Sequence, residues 1–457
     1  MNNKLTDTHR IAASLPDDFI LGVATAAYQI EGAVQKDGRG PSIWDWFSQK
    51  AGQIVNNDNG NIACDHYHRW NDDLDLIKNM QIDAYRFSFS WSRIQADGKS
   101  AINPKGISFY DRLIDGVLDR GLDAFATLYH WDLPLSLHND GGWTHADTAA
   151  RFADYAGIMA DHFGDRLSSL TTFNEPWCSS MMGYLYGVHA PGVKDLAQAI
   201  TVVHHQHKAH GLAVQRIKSS KPELPVGIVL NLQSVYPGSS AKASEDAAKR
   251  HKIFHNGIFI EPLFEGRYPA EFVDQLGHLL PPDWQDDLST IHQPLNFWGL
   301  NYYTPARVLH DDQPGTDYPA TKPVVLPDST PVTDIGWEID ASTLKDLLIE
   351  IYDRYSLPPC FITENGACFN DQPEDGVVHD TRRINYLSDH LSAISDACQS
   401  GVPLKGYFAW SLMDNFEWAE GYTMRFGLIH VDYETQKRTV KNSGRWFTEL
   451  AAARNRP

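Results

Sequence analysis

Short runs of apolar and β-branched residues alternate along the chain with longer stretches whose apolar positions recur every three or four residues. The short runs are Ile20–Ala24, Ala84–Phe89, Asp123–Leu128, Ser169–Phe173, Val226–Leu230, Phe297–Leu300, Cys360–Thr363 and Gly406–Trp410. Their length and composition suit strands buried on both faces. Between them, Trp70–Met80 sets Leu74, Ile77 and Met80 at helical spacing, and Tyr110–Arg120 does the same with Leu113, Ile114, Val117 and Leu118. Further helical patterns cover Asp147–Phe163, Leu196–Ile217, Ser342–Tyr355 and Thr381–Ser400. Strands alternating with helices predict a parallel sheet covered by helices, and eight strands is the number that closes a barrel. An open, doubly wound sheet is the rival. It carries a glycine-rich phosphate turn after its first strand, which Gly22-Val23-Ala24-Thr25 does not supply. Asp311–Pro331, rich in Asp, Pro and Thr, is expected to be a long surface loop inside one domain.

In a barrel, active residues follow the C-terminal ends of the strands. Here those positions hold Gln29 and Glu31, Trp91 and Arg93, His130, Trp131 and Asp132, Asn174, Glu175 and Trp177, Asn231 and Gln233, Asn301 to Tyr303, Glu364 and Asn365, and Asp414. Carboxylates, amides, His and aromatics crowded at strand ends predict the wall of a polar-ligand site.

Composition narrows the field. With 457 residues the length prior suggests about three domains, but barrels run long as one unit. Hydrophobic residues make up 42% and charged residues 21%, which excludes global disorder. A formal net charge of −19 argues against nucleic acid or an anionic membrane as the main partner. The five cysteines form no CxxC pair, so neither a disulfide framework nor a zinc ribbon is indicated. Met1 to Asp18 has no apolar segment with a cleavage site, and Pro176–Val193, although charge-free, contains Pro, Gly, Ser and His. A soluble, reduced, cytoplasmic protein is expected. Gly98-Lys99-Ser100 lacks the upstream glycine of a P-loop, since Arg93 stands there. Cys64, Asp65, His66 and His68 have no second cluster at zinc spacing, and His204, His205, His207 and His210 read as satisfied or exposed histidines on a helix.

The strongest chemistry is a pair of carboxylates. Thr171-Thr172-Phe173-Asn174-Glu175-Pro176 ends one predicted strand and Phe361-Ile362-Thr363-Glu364-Asn365-Gly366 ends another. A Glu directly after an apolar strand is partly desolvated, which raises its pKa, and a neighbouring cation or amide lowers it. Two such groups pushed apart in pKa are what glycosidic bond cleavage requires. The competing reading makes both Glu residues structural partners of arginines such as Arg86.

The chain resembles glycoside hydrolase family 1 β-glucosidases from about Leu15 to Leu450. Phe19 to Gly32 is similar to the family's N-terminal signature, Thr172-Phe173-Asn174-Glu175-Pro176 to its acid/base motif, and Ile362-Thr363-Glu364-Asn365-Gly366 to its nucleophile motif. The resemblance implies a single-domain (β/α)8 TIM barrel over residues 16–453, with residues 1–15 as an N-terminal extension. It implies retaining hydrolysis of terminal β-D-glucosyl residues with no metal or organic cofactor. It makes Glu175 the general acid/base and Glu364 the nucleophile, with Asn174 on the sugar 2-hydroxyl. Tyr303, from the Asn301-Tyr302-Tyr303-Thr304 motif, and Arg86 are expected to hold Glu364, the cation keeping it ionised. Gln29, His130, Trp131, Glu417 and Trp418 match glycone-binding residues, Trp410 the floor under the sugar, and Trp337 an aromatic at the aglycone entrance. One departure is Met424, where many members carry a basic residue. Members that take 6-phosphorylated sugars carry a Ser…Lys…Tyr set, and those positions here are Trp418, Met424 and Phe426. The remaining cation, Arg425, is expected to anchor the loop. The expected partners are small β-glucosides and oligosaccharides, bound by a monomer or homo-oligomer. β-Galactosidase or β-fucosidase activity, 6-phospho-β-glucosidase activity and a non-catalytic sugar-binding barrel are the alternatives.

Overall fold

The computed structural model describes residues 2–313 and 318–454. The eight apolar runs form parallel strands β1 (Ile20–Ala24), β2 (Ala84–Ser88), β3 (Asp123–Tyr129), β4 (Ser169–Asn174), β5 (Val226–Asn231), β6 (Trp298–Asn301), β7 (Cys360–Asn365) and β8 (Leu404–Trp410). They pair in chain order, and β8 returns to β1, with Ile20 opposite Gly406 and Ala24 opposite Trp410. The closed barrel excludes the open-sheet rival. Every residue of β2 and β4 is buried, as it must be when helices cover the outer face and side chains fill the inner one.

The principal helices are α1 (Asn2–Ser14), α2 (His66–Asn79), α3 (Pro104–Leu118), α4 (Asp147–Phe163), α5 (Leu196–Ser220), α6 (Lys242–Lys252), α7 (Ser342–Arg354), α8 (Thr381–Gln399) and α9 (Asn442–Arg454). α3 starts earlier than its apolar periodicity predicts. The Asn103 side chain caps it by accepting from the Lys105 N–H at 3.2 Å, and Pro104 takes a first-turn position that needs no N–H. α1, α6 and α9 have no counterpart among the predicted helices. α6 has only Ser244, Ala247 and Ala248 as buried residues among seven charged or His positions, so its apolar stripe is too thin to read. α9 does carry Trp446, Phe447, Leu450 and Ala451 on a buried face. The expected loop Asp311–Pro331 is in part a small sheet. Thr321–Pro323 pairs antiparallel with Ala306–His310, which lies parallel to Val235–Pro237. Residues 314–317 of that expected loop lie outside the described residues.

Inside the barrel, Phe125, Phe361 and Phe408 pack with ring centroids 4.9–6.4 Å apart, and Phe297 abuts Phe361 at 5.6 Å. Gly22 makes room for this plug, because a Cβ there would lie 2.5 Å from the Phe408 ring. Each fully buried Phe contributes about 1.5–3 kcal/mol. The plug fills the N-terminal half of the barrel, and the polar residues occupy the other half.

At that polar end, the loop after β8 is tied down by the buried Asp414. Its carboxylate accepts from Lys441 Nζ and Arg425 Nη1, each at 2.7 Å, and from the Gly427 N–H at 3.0 Å. Burial opposes the charge, yet Lys441 and Arg425 hold Asp414 below the usual carboxylate range. Arg425 anchors the loop, as its sequence position suggests. α1 packs on α8 and α9 with Ile11 fully buried, and Arg454 of α9 donates to the Phe19 carbonyl at 2.7 Å beside β1. Among the described residues no helix is long and apolar enough to cross a membrane. In Pro176–Val193 the segment Cys178–Leu185 is π-helical.

Candidate active site

The site opens at the C-terminal ends of the strands as a cavity of about 550 Å³. Register shifts between Thr171 and Asn174 and between Ile362 and Glu364 re-aim the ends of β4 and β7. Glu175 then leaves β4 with φ of 48°, and both Glu175 and Glu364 line the cavity.

The two carboxyls have different partners. Glu364 Oε1 accepts from Arg86 Nη1 and Oε2 from the Tyr303 hydroxyl, each at 2.7 Å. Glu175 Oε1 accepts from Asn301 Nδ2 at 2.5 Å, and Oε2 from the Cys178 thiol at 2.9 Å. Asn174 links the halves. Its Oδ1 accepts from Arg86 Nη2 at 2.7 Å and from Asn301 Nδ2 at 3.0 Å. Burial, reinforced by the Glu364 charge, pushes Glu175 up to about 7. Burial also raises Glu364, against the pull of Arg86 and the hydrogen bonds from Arg86, Tyr303 and Asn301. The effect expected of Arg86 is present, but desolvation outweighs it.

Asn174 and His130 settle a tautomer. Asn174 Oδ1 already accepts twice, so its Nδ2 donates to His130 Nε2 at 3.1 Å, and the His130 proton sits on Nδ1. Burial, with Arg86 nearby, holds His130 well below its ordinary pKa and therefore neutral. His130 Nδ1, Gln29 Oε1 and Glu417 Oε2 are buried with no protein partner, one donor and two acceptors suited to hydroxyl groups. Gln29 is oriented by its other end, Nε2 donating to Asn415 Oδ1 at 3.0 Å and to the Phe416 carbonyl at 2.8 Å. Burial and the charges of Glu364 and Glu175 push Glu417 up to about 8.

Aromatic rings complete the wall. Trp418 lies 4.5 Å from Trp131 and 4.5 Å from Trp44, and His130 stacks near Trp410 at 5.9 Å. Trp131 Nε1 donates to the Asn174 carbonyl at 2.8 Å, so its N–H is already engaged and is not offered to a ligand. Trp337 packs 5.4 Å from Tyr303 and 5.9 Å from Phe426. Of the thirteen residues that the family resemblance places at the site, ten line one cavity: His130, Trp131, Glu175, Asn301, Tyr303, Trp337, Glu364, Trp410, Glu417 and Trp418. Gln29, Arg86 and Asn174 are buried and do not line it. Trp177, Asn231 and Gln233, from the strand-end segments, line it as well, and so do Cys178, His189 and His255, which were not among the expected residues. Cys178 lies one helical turn beyond Glu175 and could have been found from that spacing. His255 comes from a distant π-helical turn (Ile253–Gly257) with no local signal. The four histidines of α5 are structural: His204 meets Asp287 and Tyr268, each at 3.1 Å, His207 meets Tyr268 at 3.3 Å, His210 meets Thr172 at 2.7 Å, and His205 meets the Trp143 carbonyl at 2.9 Å. All four are buried, so none is exposed. Among the described residues no group of three or more His, Cys, Asp or Glu is arranged to hold a metal ion.

A beta-glucosidase from Agrobacterium sp. is 53% identical over 98% of this chain and 97% of its own length. Beta-glucosidase A from Thermotoga maritima is 44% identical over 95% of this chain and 97% of its own. A bifunctional beta-D-glucosidase/beta-D-fucosidase from Bifidobacterium breve is 42% identical over 96% and 98%. Among solved structures, the virulence factor SghA of Agrobacterium tumefaciens superposes with a TM-score of 0.95 at 53% identity, covering 97% of this chain and 99% of that one. The model of glycosyl hydrolase family 1 matches residues 11–456. Barrel, strand-end carboxylates and relatives agree, and the chain belongs to glycosyl hydrolase family 1.

Proposed function

We propose that this chain is a retaining β-glucosidase. It removes terminal, non-reducing β-D-glucosyl residues from aryl and alkyl glucosides, cellobiose and short oligosaccharides. The reading is carried by one observation: two buried carboxyls share a cavity, one bonded to a guanidinium and a phenol, the other to an amide and a thiol. When such a pair holds one proton, it rests on the carboxyl without the cation in contact, and that is Glu175.

Glu364 attacks the anomeric carbon while Glu175 gives its proton to the leaving glycosidic oxygen. The C–O bond to the aglycone breaks and an ester to Glu364 forms. Glu175, now ionised, takes a proton from water, whose oxygen attacks the same carbon and releases Glu364. Two inversions give net retention. Arg86 and Tyr303 hold the nucleophile, and Asn301 the acid/base. Asn174 bonds the 2-hydroxyl, and the free donor of His130 and free acceptors of Gln29 and Glu417 take the other hydroxyls. Trp410 carries the apolar sugar face, Trp131 and Trp418 pack its edge, and Trp337 meets the aglycone. The Bifidobacterium relative's name supports β-fucosides as a second substrate, since they differ from galactosides only in lacking the 6-hydroxyl. All five cysteines are unpaired, which supports a cytoplasmic setting. Cleavage of cellobiose and short oligosaccharides would place the reaction late in cellulose breakdown.

Proton NMR of the first sugar released, read before mutarotation, tests the reading. The β anomer should appear first, as a carboxyl separation of about 5–5.5 Å requires. First appearance of the α anomer would exclude Glu364 as nucleophile.

A further inference from the structure

Glu175, read above as the acid/base, must be protonated when the aglycone leaves and ionised when water attacks. Its hydrogen-bond partners must therefore suit both states. Asn301 cannot do this alone. The Thr363 hydroxyl donates to Asn301 Oδ1 at 2.7 Å, which fixes the amide with its NH₂ toward Glu175 Oε1. An amide N–H only donates, so Oε1 is held as the carbonyl-type oxygen, and the mobile proton belongs to Oε2.

Oε2 faces the Cys178 thiol at 2.9 Å. A thiol is both a weak donor and a weak acceptor, and rotation about its Cβ–Sγ bond exchanges the two roles. Cys178 sits in the π-helical segment that starts three residues after Glu175, and Asn231 Nδ2 approaches its sulfur at 3.7 Å from the end of β5. The sulfur is thus fixed between two strand ends. The thiol keeps its own proton, because burial and the Glu175 charge raise it well above its ordinary value.

We propose that Cys178 is a positioning residue for the acid/base step, a two-way hydrogen-bond partner that orients Glu175 Oε2 in both protonation states. With Glu175 protonated, the sulfur accepts from Oε2–H until a glycosidic oxygen replaces it. Once the proton has passed to the leaving oxygen, the thiol turns and donates to the new carboxylate. The proton taken later from water returns to Oε2. No bond to sulfur is made or broken.

The test is the pH profile of kcat/KM on a glucoside with a poor leaving group, whose basic limb reports the acid/base. Other titratable groups facing Glu175 are Glu364, Arg86, Tyr303 and Glu417, with Glu420 on the cavity wall and His130, His189 and His255 held neutral by burial. None of these is altered by substitution at Cys178. Cys178→Val keeps the volume and loses the donor, with Cys178→Ala as a second, smaller variant. Either should move the basic limb up by about half a pH unit, a roughly threefold change in proton affinity, as loss of one weak hydrogen bond to the ionised form requires. Cys178→Ser, which keeps a two-way partner, should restore the limb to the wild-type position or below it. A uniform loss of activity in all three variants with an unmoved limb would show a packing role only and overturn the proposal. Glu175→Gln tests the underlying reading separately. Its basic limb should vanish, and if it persists while the Cys178 limb also stays fixed, the acid/base assignment fails first and the proposal with it.

Discussion

Trp131, Glu175 and Trp418 hold φ values of 78°, 48° and 46°, a left-handed conformation that costs a bulky residue on the order of 1–3 kcal/mol. All three line the cavity, so a share of the backbone strain, which elsewhere falls mostly on Asn, Asp and small residues of turns, lies where side chains face a ligand. The carboxyls carry a further burden. Glu417 titrates near 8, against an ordinary value of 4.5. Between those values the folded state holds a proton that the unfolded chain lacks, so this group's contribution to stability falls as pH rises through the window. Glu417→Gln should therefore stabilise the protein by roughly 1–3 kcal/mol at about pH 8 and by much less at about pH 5, while activity drops. Thermal unfolding at the two pH values checks this, and an equal gain at both would contradict it. For the catalytic pair, Glu364→Ala should abolish turnover of every substrate. Glu175→Ala should spare the first step on activated aryl glucosides, with azide restoring turnover as β-glucosyl azide. Recovery of the α-glucosyl azide instead would mean that the two roles are exchanged.

The ends of β7 and β8 come so close that a Cβ on Gly366 would lie 1.8 Å from the Trp410 carbonyl oxygen. Gly366 directly follows the Glu364-Asn365 pair, so one contact sets the positions of both Glu364, the proposed nucleophile, and Trp410, the proposed sugar floor. Gly366→Ala should destabilise the fold by at least about 1–3 kcal/mol and lower kcat/KM through displacement of Trp410. A variant with wild-type melting temperature would show that the two strands can separate without penalty. The strands were legible in the sequence because both their faces are buried, which leaves uninterrupted apolar runs such as Leu21–Ala24 and Ile228–Leu230. α6 was not, since two alanines and a serine make no readable stripe. The strand-end motifs located Glu175 and Glu364 because position after a strand is a local property. His255 reaches the cavity through a π-helical turn, a backbone state that apolar periodicity does not encode, whereas Cys178, also π-helical, was open to reading only from its distance of three residues from Glu175. That the Trp131 N–H is engaged by Asn174, and that burial outweighs Arg86 at Glu364, depend on contacts between segments far apart in the chain.

On the scale of the molecule, the chain carries a net charge of −19, and among the described residues the cavity wall contains Glu175, Glu364, Glu417 and Glu420 and no lysine or arginine. Arg425, the cation nearest in sequence, is bound to Asp414 and the Val431 carbonyl. A phosphate on the sugar 6-hydroxyl would be buried among carboxyl groups with no cation to compensate its charge, and it would force Glu417 to keep its proton, at several kcal/mol. Nitrophenyl glucoside should exceed its 6-phosphate in kcat/KM by at least about 100-fold, and cellobiose 6′-phosphate should be refused. Comparable turnover of the phosphorylated substrate would refute the role given to Glu417.

The phenylalanine plug packs under Trp410 and closes the floor of the cavity, and on the reaction proposed above that fixes the order of traffic. The sugar enters first and lies deepest, so the aglycone, nearest the opening, leaves while the sugar is still bound to Glu364. Water must then come in by the route the aglycone has just vacated. Any alcohol or second sugar standing in that route reaches the intermediate on equal terms with water, and free glucose, last to depart, holds the door against the next substrate.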